Sequence, residues 1–252
     1  MTTLCTRPPR RYRNLGPPYV KKVGEALLRK AFELNPSVVV VSGDLTQRAK
    51  PSQFADARRF LDQLPSVPLV TVPGNHDVPL YRIVERLRTP YAEYQRQIAE
   101  QLDTVTSVDG AVIVALSSTS PRRAITNGRI HQDQLDFCRA QFANIPAGTA
   151  KIVVAHHHFA PAPDYERDQT MPKAKRAMDC FLELGVDLIL GGHLHRAYIG
   201  NSLDIYPKSA RNRGIVIVQS GTSTSRRGRG KERDRNSFNV VKISDDMLRV
   251  TH

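Results

Sequence analysis

Four short stretches concentrate the groups able to hold metal ions or move protons. They read Ser42-Gly43-Asp44, Gly74-Asn75-His76-Asp77, His156-His157-His158 and Gly192-His193-Leu194-His195. Five of the eight histidines fall in the last two stretches alone, too uneven a spread for scattered surface imidazoles. Oxygen donors mixed with imidazoles suit divalent ions such as Mn, Fe or Zn. His193 and His195 stand at i and i+2, which on an extended segment puts both side chains on one face. An aspartate able to bridge, together with two histidine turns, fits two metal ions about 3.5–4 Å apart that activate water for phosphoryl chemistry. The three cysteines, Cys5, Cys138 and Cys180, form no ligand pair, which argues against a structural zinc site.

Each stretch closes an apolar run: "VVVVSGD", "LVTVPGNHD", "KIVVAHHH" and "VDLILGGHLH". Ligands of α/β sheets bind outside the carboxyl ends of the strands, so four such endings define one edge where chemistry can gather. Glycine precedes three of the polar sets and permits the close approach that sharp turns need. The elements that must position these ends follow from periodicity. Helical spacing covers 19–34 and stops at Asn35-Pro36; a second helix opens at Pro51. Residues 79–101 read as helical with a break at Pro90, and further helices fall at 131–143 and 171–184. Apolar runs at 38–41, 67–72, 111–116, 151–155, 186–190, 214–218 and 237–243 read as strands. Strand and helix alternate, and the late stretch is strand-rich, so the expectation is an α/β fold with a mixed sheet.

In its ordered set of motifs the sequence resembles the calcineurin-like metallophosphoesterases, and among them the bacterial cyclic-nucleotide phosphodiesterase-like branch. The carrying residues are Gly43-Asp44, Gly74-Asn75-His76-Asp77, the His156-His157 pair and Gly192-His193-Leu194-His195. The resemblance implies a four-layer αββα sandwich with two mixed sheets, over a domain spanning 19–252. It implies that Asp44 bridges two metals, that Asn75, His156 and His193 complete one site, and that His195 belongs to the other. His157 is the alternative to His156, since the run cannot be phased from sequence. His76 would contact the phosphate or protonate the leaving oxygen, with Asp77 holding its ring, while a metal-activated hydroxide attacks phosphorus. The implied function is hydrolysis of phosphate esters, foremost diesters; the alternative is a degenerate site that binds metal or phosphate without turnover.

One part of the family pattern is absent. Its chains open with an apolar strand ending in Asp-x-His, whereas residues 1–36 hold no Asp and no His. Either the chain starts late or the motif has been lost. The expectation is a missing first strand, and one well-held metal where the family has two.

The formal net charge is +13. Residues 1–30 hold eight Lys/Arg and one Glu, and residues 225–235 six Lys/Arg and two acids. These segments contribute +7 and +4, so the body is nearly neutral. The basic, Pro-rich residues 1–18 read as a separate N-terminal segment without the apolar core of a secretory signal. Residues 225–235 read as a solvated loop between late strands. Neither segment interleaves aromatics for base stacking, so nucleic acid is a disfavoured partner. No apolar run approaches a membrane span, and the scattered cysteines fit a reducing cytoplasm.

Overall fold

Asn35 adopts a left-handed backbone (φ 43°) that closes the first helix, α1 (Lys21–Leu34), and Pro36 cannot extend it. In this computed structural model residues 20–123, 127–162, 169–206, 213–229, 232–233, 235–244 and 247–252 are described. The N-terminal segment 1–18 and the expected loss of an opening strand lie outside the described residues. After α1 come β1 (Val39–Val41), α2 (Pro51–Leu61) and β2 (Leu69–Thr71). Pro51 starts α2 because its fixed φ suits a first helical turn whose N–H is unpaired anyway. A single 3₁₀ turn at Asn75–Asp77 follows β2. The expected helix over 79–101 is two short ones, α3 (Ile83–Arg88) and α4 (Ala92–Gln97), separated at Pro90. The rest of the chain runs β3 (Thr104–Val108), β4 (Ala111–Leu116), α5 (Gln132–Phe142), β5 (Ala150–Ala155), α6 (Ala174–Glu183), β6 (Leu188–Gly191), β7 (Tyr198–Asn201), α7 (Ser202–Ile205), β8 (Val216–Gln219), β9 (Val240–Ser244) and β10 (Met247–Thr251). None of the described helices is long and apolar enough to cross a membrane.

Among the described residues, six strands form one mixed sheet in the order β3-β4-β5-β6-β8-β7. The neighbours from β4 to β8 are parallel, and the edge strands β3 and β7 are antiparallel. Central parallel strands are covered on both faces, which is why they read as unbroken apolar runs. On one face, Val114, Leu116, Val153 and Ile217 pack against Leu135 and Phe142 of α5 and Met178 and Phe181 of α6. On the other face, Ile113, Ile152, Val154 and Leu188 meet Val40 and Val70, with Val241 and Val250 alongside. Beyond that lies a third core, in which Val39 and Val41 meet Phe54, Phe60 and Tyr94. The layers therefore run helix, strand, strand, helix.

The second strand layer is built of two pairs, parallel β1-β2 and antiparallel β9-β10. Between them runs a groove of about 680 Å³, with Val40 on one wall, Val241 and Ile243 on the other, and Ile152 and Leu188 at its floor.

Candidate metal centre

The chain ends β1 and β2 with two turns that interlock. Asp77 is buried, and its carboxylate accepts the backbone N–H groups of Leu45 (3.1 Å), Thr46 (2.8 Å) and Gly74 (2.9 Å). The Thr46 hydroxyl donates to the His76 carbonyl at 2.9 Å. This corrects one expected role. Asp77 ties the two turns together, and the His76 ring is held instead by the Gln47 carbonyl, 3.0 Å from Nδ1. Burial first, then the nearby Asp44 charge, push the Asp77 carboxyl up, against the three N–H donors that favour its ionised form.

The clamp brings Asp44, Asn75 and His76 side by side. Asp44 Oδ1 accepts the His76 backbone N–H at 2.9 Å and lies 3.4 Å from His156 Nε2. Asn75 Oδ1 sits 3.1 Å from His156 Nε2 and 3.0 Å from His193 Nδ1. The His156 ring lies 5.2 Å from that of His193, centroid to centroid. Side chains from β1, β2, β5 and β6 thus converge at the carboxyl ends of their strands. The histidine run is also phased here. His156 faces Asp44 and Asn75, while His157 turns to Ser118, whose Oγ lies 2.8 Å from its Nδ1 and accepts its backbone N–H. His158 stacks on His193 at 5.7 Å. His195 is buried next to them, with Nδ1 3.0 Å from the Arg227 carbonyl.

The backbone is strained where the candidate ligands are. Of six non-glycine residues with positive φ among the described residues, three are Asp44 (55°), His193 (75°) and His195 (56°). Such conformations cost about 1–3 kcal/mol each and persist where the surroundings over-determine them. Gly43 (φ 97°) admits no side chain: a Cβ there would stand 2.6 Å from His156 Nδ1 and 2.8 Å from the Gly74 nitrogen. A Cβ on Gly74 would overlap the Asp44 carboxylate.

Hydrogen bonding within the cluster leaves a surplus of acceptors. His156 Nδ1 lies 2.7 Å from the Ser42 carbonyl, which can only accept, so that nitrogen carries the proton. In the neutral ring Nε2 is then a lone pair, and it points at two oxygens, Asn75 Oδ1 and Asp44 Oδ1. The other carboxylate oxygen of Asp44 is buried and has no hydrogen-bond partner among the described residues. Burial opposes the Asp44 charge, yet His156, His76 and the His76 N–H more than offset it and hold the carboxyl well below its ordinary range. Burial, and after it the neighbouring His156 and His157, drive His193 well below the usual imidazole value. His195 is also lowered, first by burial, with the Arg229 charge contributing. The imidazoles of His193 and His195, which burial keeps neutral, and an ionised, half-satisfied carboxylate belong to the donor set that a divalent cation completes. The Asn75 amide is integral to it: over His, Cys, Asp and Glu alone, no three described side chains gather round one point.

Several of these supports carry no residue-type signal in the sequence. The Ser42, Gln47 and Arg227 groups act through backbone carbonyls, which any residue supplies. Ser118 was findable, because Ser117 to Ser120 is a fifth buried polar stretch closing an apolar strand. The basic tract departs from expectation. It is not simply a solvated loop, since the Arg227 carbonyl holds His195 and the Arg229 N–H donates to the His195 carbonyl at 2.9 Å.

The same residues lie inside a family match. Residues 20–197 match the calcineurin-like phosphoesterase family model, and the chain belongs to that family. A probable cyclic nucleotide phosphodiesterase from Synechococcus is 30% identical over 173 residues, covering 66% of this chain and 60% of its own. A second, from Rhodococcus erythropolis, is 26% identical over 167 residues, covering 64% of this chain and 52% of its own. The match thus spans little more than half the length of these curated relatives. Among solved structures, a purple acid phosphatase from yellow lupin aligns with a TM-score of 0.62 at 16% identity, covering 81% of this chain and 39% of its own. A dimetal phosphatase from Danio rerio aligns with a TM-score of 0.51 at 15% identity, covering 81% and 77%. These two likenesses concern the fold.

Proposed function

We propose that this chain is a metal-dependent hydrolase of phosphate esters, with diesters as its main substrates. The observation that carries the reading is the convergence of Asp44, Asn75, His156 and His193, with one Asp44 oxygen buried and unpartnered. Asp44, Asn75, His156 and His193 would hold one ion, and His195 would face a second beside Asp44. Ions of the Mn, Fe or Zn type bound there supply Lewis acidity toward phosphate oxygens and lower the pKa of water.

The chain's own residues do the rest. The Gln47 carbonyl can only accept, so His76 Nδ1 carries a proton, and Nε2 is the atom left to exchange one with a leaving oxygen. His76 is only part-buried, so its ring can be reached from solvent. Asp77 keeps that ring on station indirectly, by fixing the turns that carry both His76 and Asp44. The Ser42 carbonyl fixes the tautomer of His156, and the Arg227 carbonyl that of His195. The domain carrying this chemistry would span 19–252. Two buried free thiols, Cys138 and Cys180, suit a reducing cytoplasm.

Metal content and hydrolysis of bis(p-nitrophenyl) phosphate, measured on the same preparation with and without added Mn, test the proposal. We expect bound metal and metal-dependent turnover, both lost in Asp44→Ala. Full metal occupancy without turnover would instead support a binding protein with a degenerate site.

A further inference from the structure

Next to the metal centre the side of the molecule opens into a separate cavity of about 910 Å³. Its described walls come from α1, the turn after His195, residues 229, 232 and 235–238, and strands β9 and β10. Among the described residues, five with cationic side chains line it: Lys30, Arg196, Arg229, Arg235 and Lys242. Glu232 is the one acidic side chain on the described wall, and His252 Nε2 lies 2.9 Å from it. Lys30 is shared with Glu33 at 2.9 Å. Among the described residues, no carboxylate pairs with Arg229, Arg235 or Lys242.

Cations gathered round one concavity repel each other, and a low-dielectric wall focuses their field outward into the cavity. An anion relieves that repulsion and gains several charge-assisted hydrogen bonds, which guanidinium groups donate to phosphate in pairs. The cavity is joined to the metal centre through one wall. Arg196 follows His195 directly, and the Arg229 N–H donates to the His195 carbonyl at 2.9 Å. The chain that carries His195 thus also borders the cavity.

We propose that this cavity binds a second anionic group, of the phosphate type, on the substrate cleaved at the metal centre. The substrates are then small phosphoesters that carry at least one further phosphate. The inference rests on the hydrolase reading above for the word substrate, but the pocket itself can be tested without turnover. A small molecule fits better than a nucleic acid strand, because the cationic residues line a single concavity.

The test compares the wild-type chain with Arg235→Gln/Lys242→Gln. Neither side chain belongs to the metal centre. Tripolyphosphate binding, followed by calorimetry at low salt, should weaken about tenfold or more in the variant, as expected for losing two charge-assisted contacts. KM for a diester bearing an extra phosphate should rise by a similar factor, while hydrolysis of bis(p-nitrophenyl) phosphate stays unchanged. Equal tripolyphosphate affinity in the two proteins, or no binding by the wild type, overturns the proposal. Absence of all hydrolysis would sink the hydrolase reading and leave calorimetry to decide on the pocket. Circular dichroism checks the fold; should the double variant unfold, Lys242→Gln alone, on an exposed strand position, carries the comparison with a loss of about threefold.

Discussion

At the scale of single residues, the centre depends on a few atoms with no slack around them. Asp44 presents one oxygen to the His76 N–H, and the other is buried with no hydrogen-bond partner among the described residues. Asp44→Ala should remove bound metal and lower diester hydrolysis by at least about 100-fold; a variant that keeps its metal would show that Asp44 is not the shared ligand. His76→Gln should behave differently. Turnover should fall by about 100-fold or more, the range for a lost general acid, while metal content stays at the wild-type level. Metal loss in that variant would make His76 a ligand. Gly74→Ala tests crowding. The added methyl overlaps the Asp44 carboxylate, so metal affinity should drop although no ligand has been removed. Unchanged metal content after this substitution would mean the two turns can move apart freely.

At the scale of elements, the site is a property of turns. Asp77→Ala would leave the N–H groups of Leu45, Thr46 and Gly74 without their acceptor, at about 1–3 kcal/mol for each buried donor. We expect a Tm lower by several degrees and a loss of activity that added metal does not rescue. A Tm equal to wild type would refute the clamp. The turns and the strands that carry them were legible because a strand buried on both faces is an unbroken apolar word, as in "AVIVAL" and "KIVVA". Strands β3 and β10 escaped that reading. Each alternates between part-buried and exposed positions, and "TVTSV" and "MLRVT" mix polar with apolar residues, so neither forms a continuous run. The candidate ligands were legible by type and position, but their partners were not. Nothing in the letters told which of His156 and His157 faces Asp44, because alternation along a strand fixes opposite faces without saying which face is which. Equally, the role of Arg227 lies in its carbonyl. Deleting 227–229 should therefore lower metal content, whereas Arg227→Gln, which keeps the main chain, should not.

At the scale of the whole molecule, charge and connectivity separate. Most of the +13 resides in residues 1–30 and 225–235, yet the second of these segments also closes the site through its backbone. Connectivity has a further consequence, one of timing. The His156 ring meets a carbonyl 114 positions earlier in the chain, and His193 meets an amide 118 positions away. The first turn of α1 is tied to the Thr224 carbonyl by the Val20 N–H. Contacts of such span are won only after long loops have closed, and they slow folding. On a ribosome, Asp44 and Asn75 must wait without their histidine partners until β5, β6 and the turns beyond them emerge. In refolding, the absorbance of a bound cobalt probe should therefore appear with the slowest phase, and added ions should not hasten the earlier ones. The ion would enter as a late guest of a finished framework, and its delivery in the cell becomes a step separable from folding.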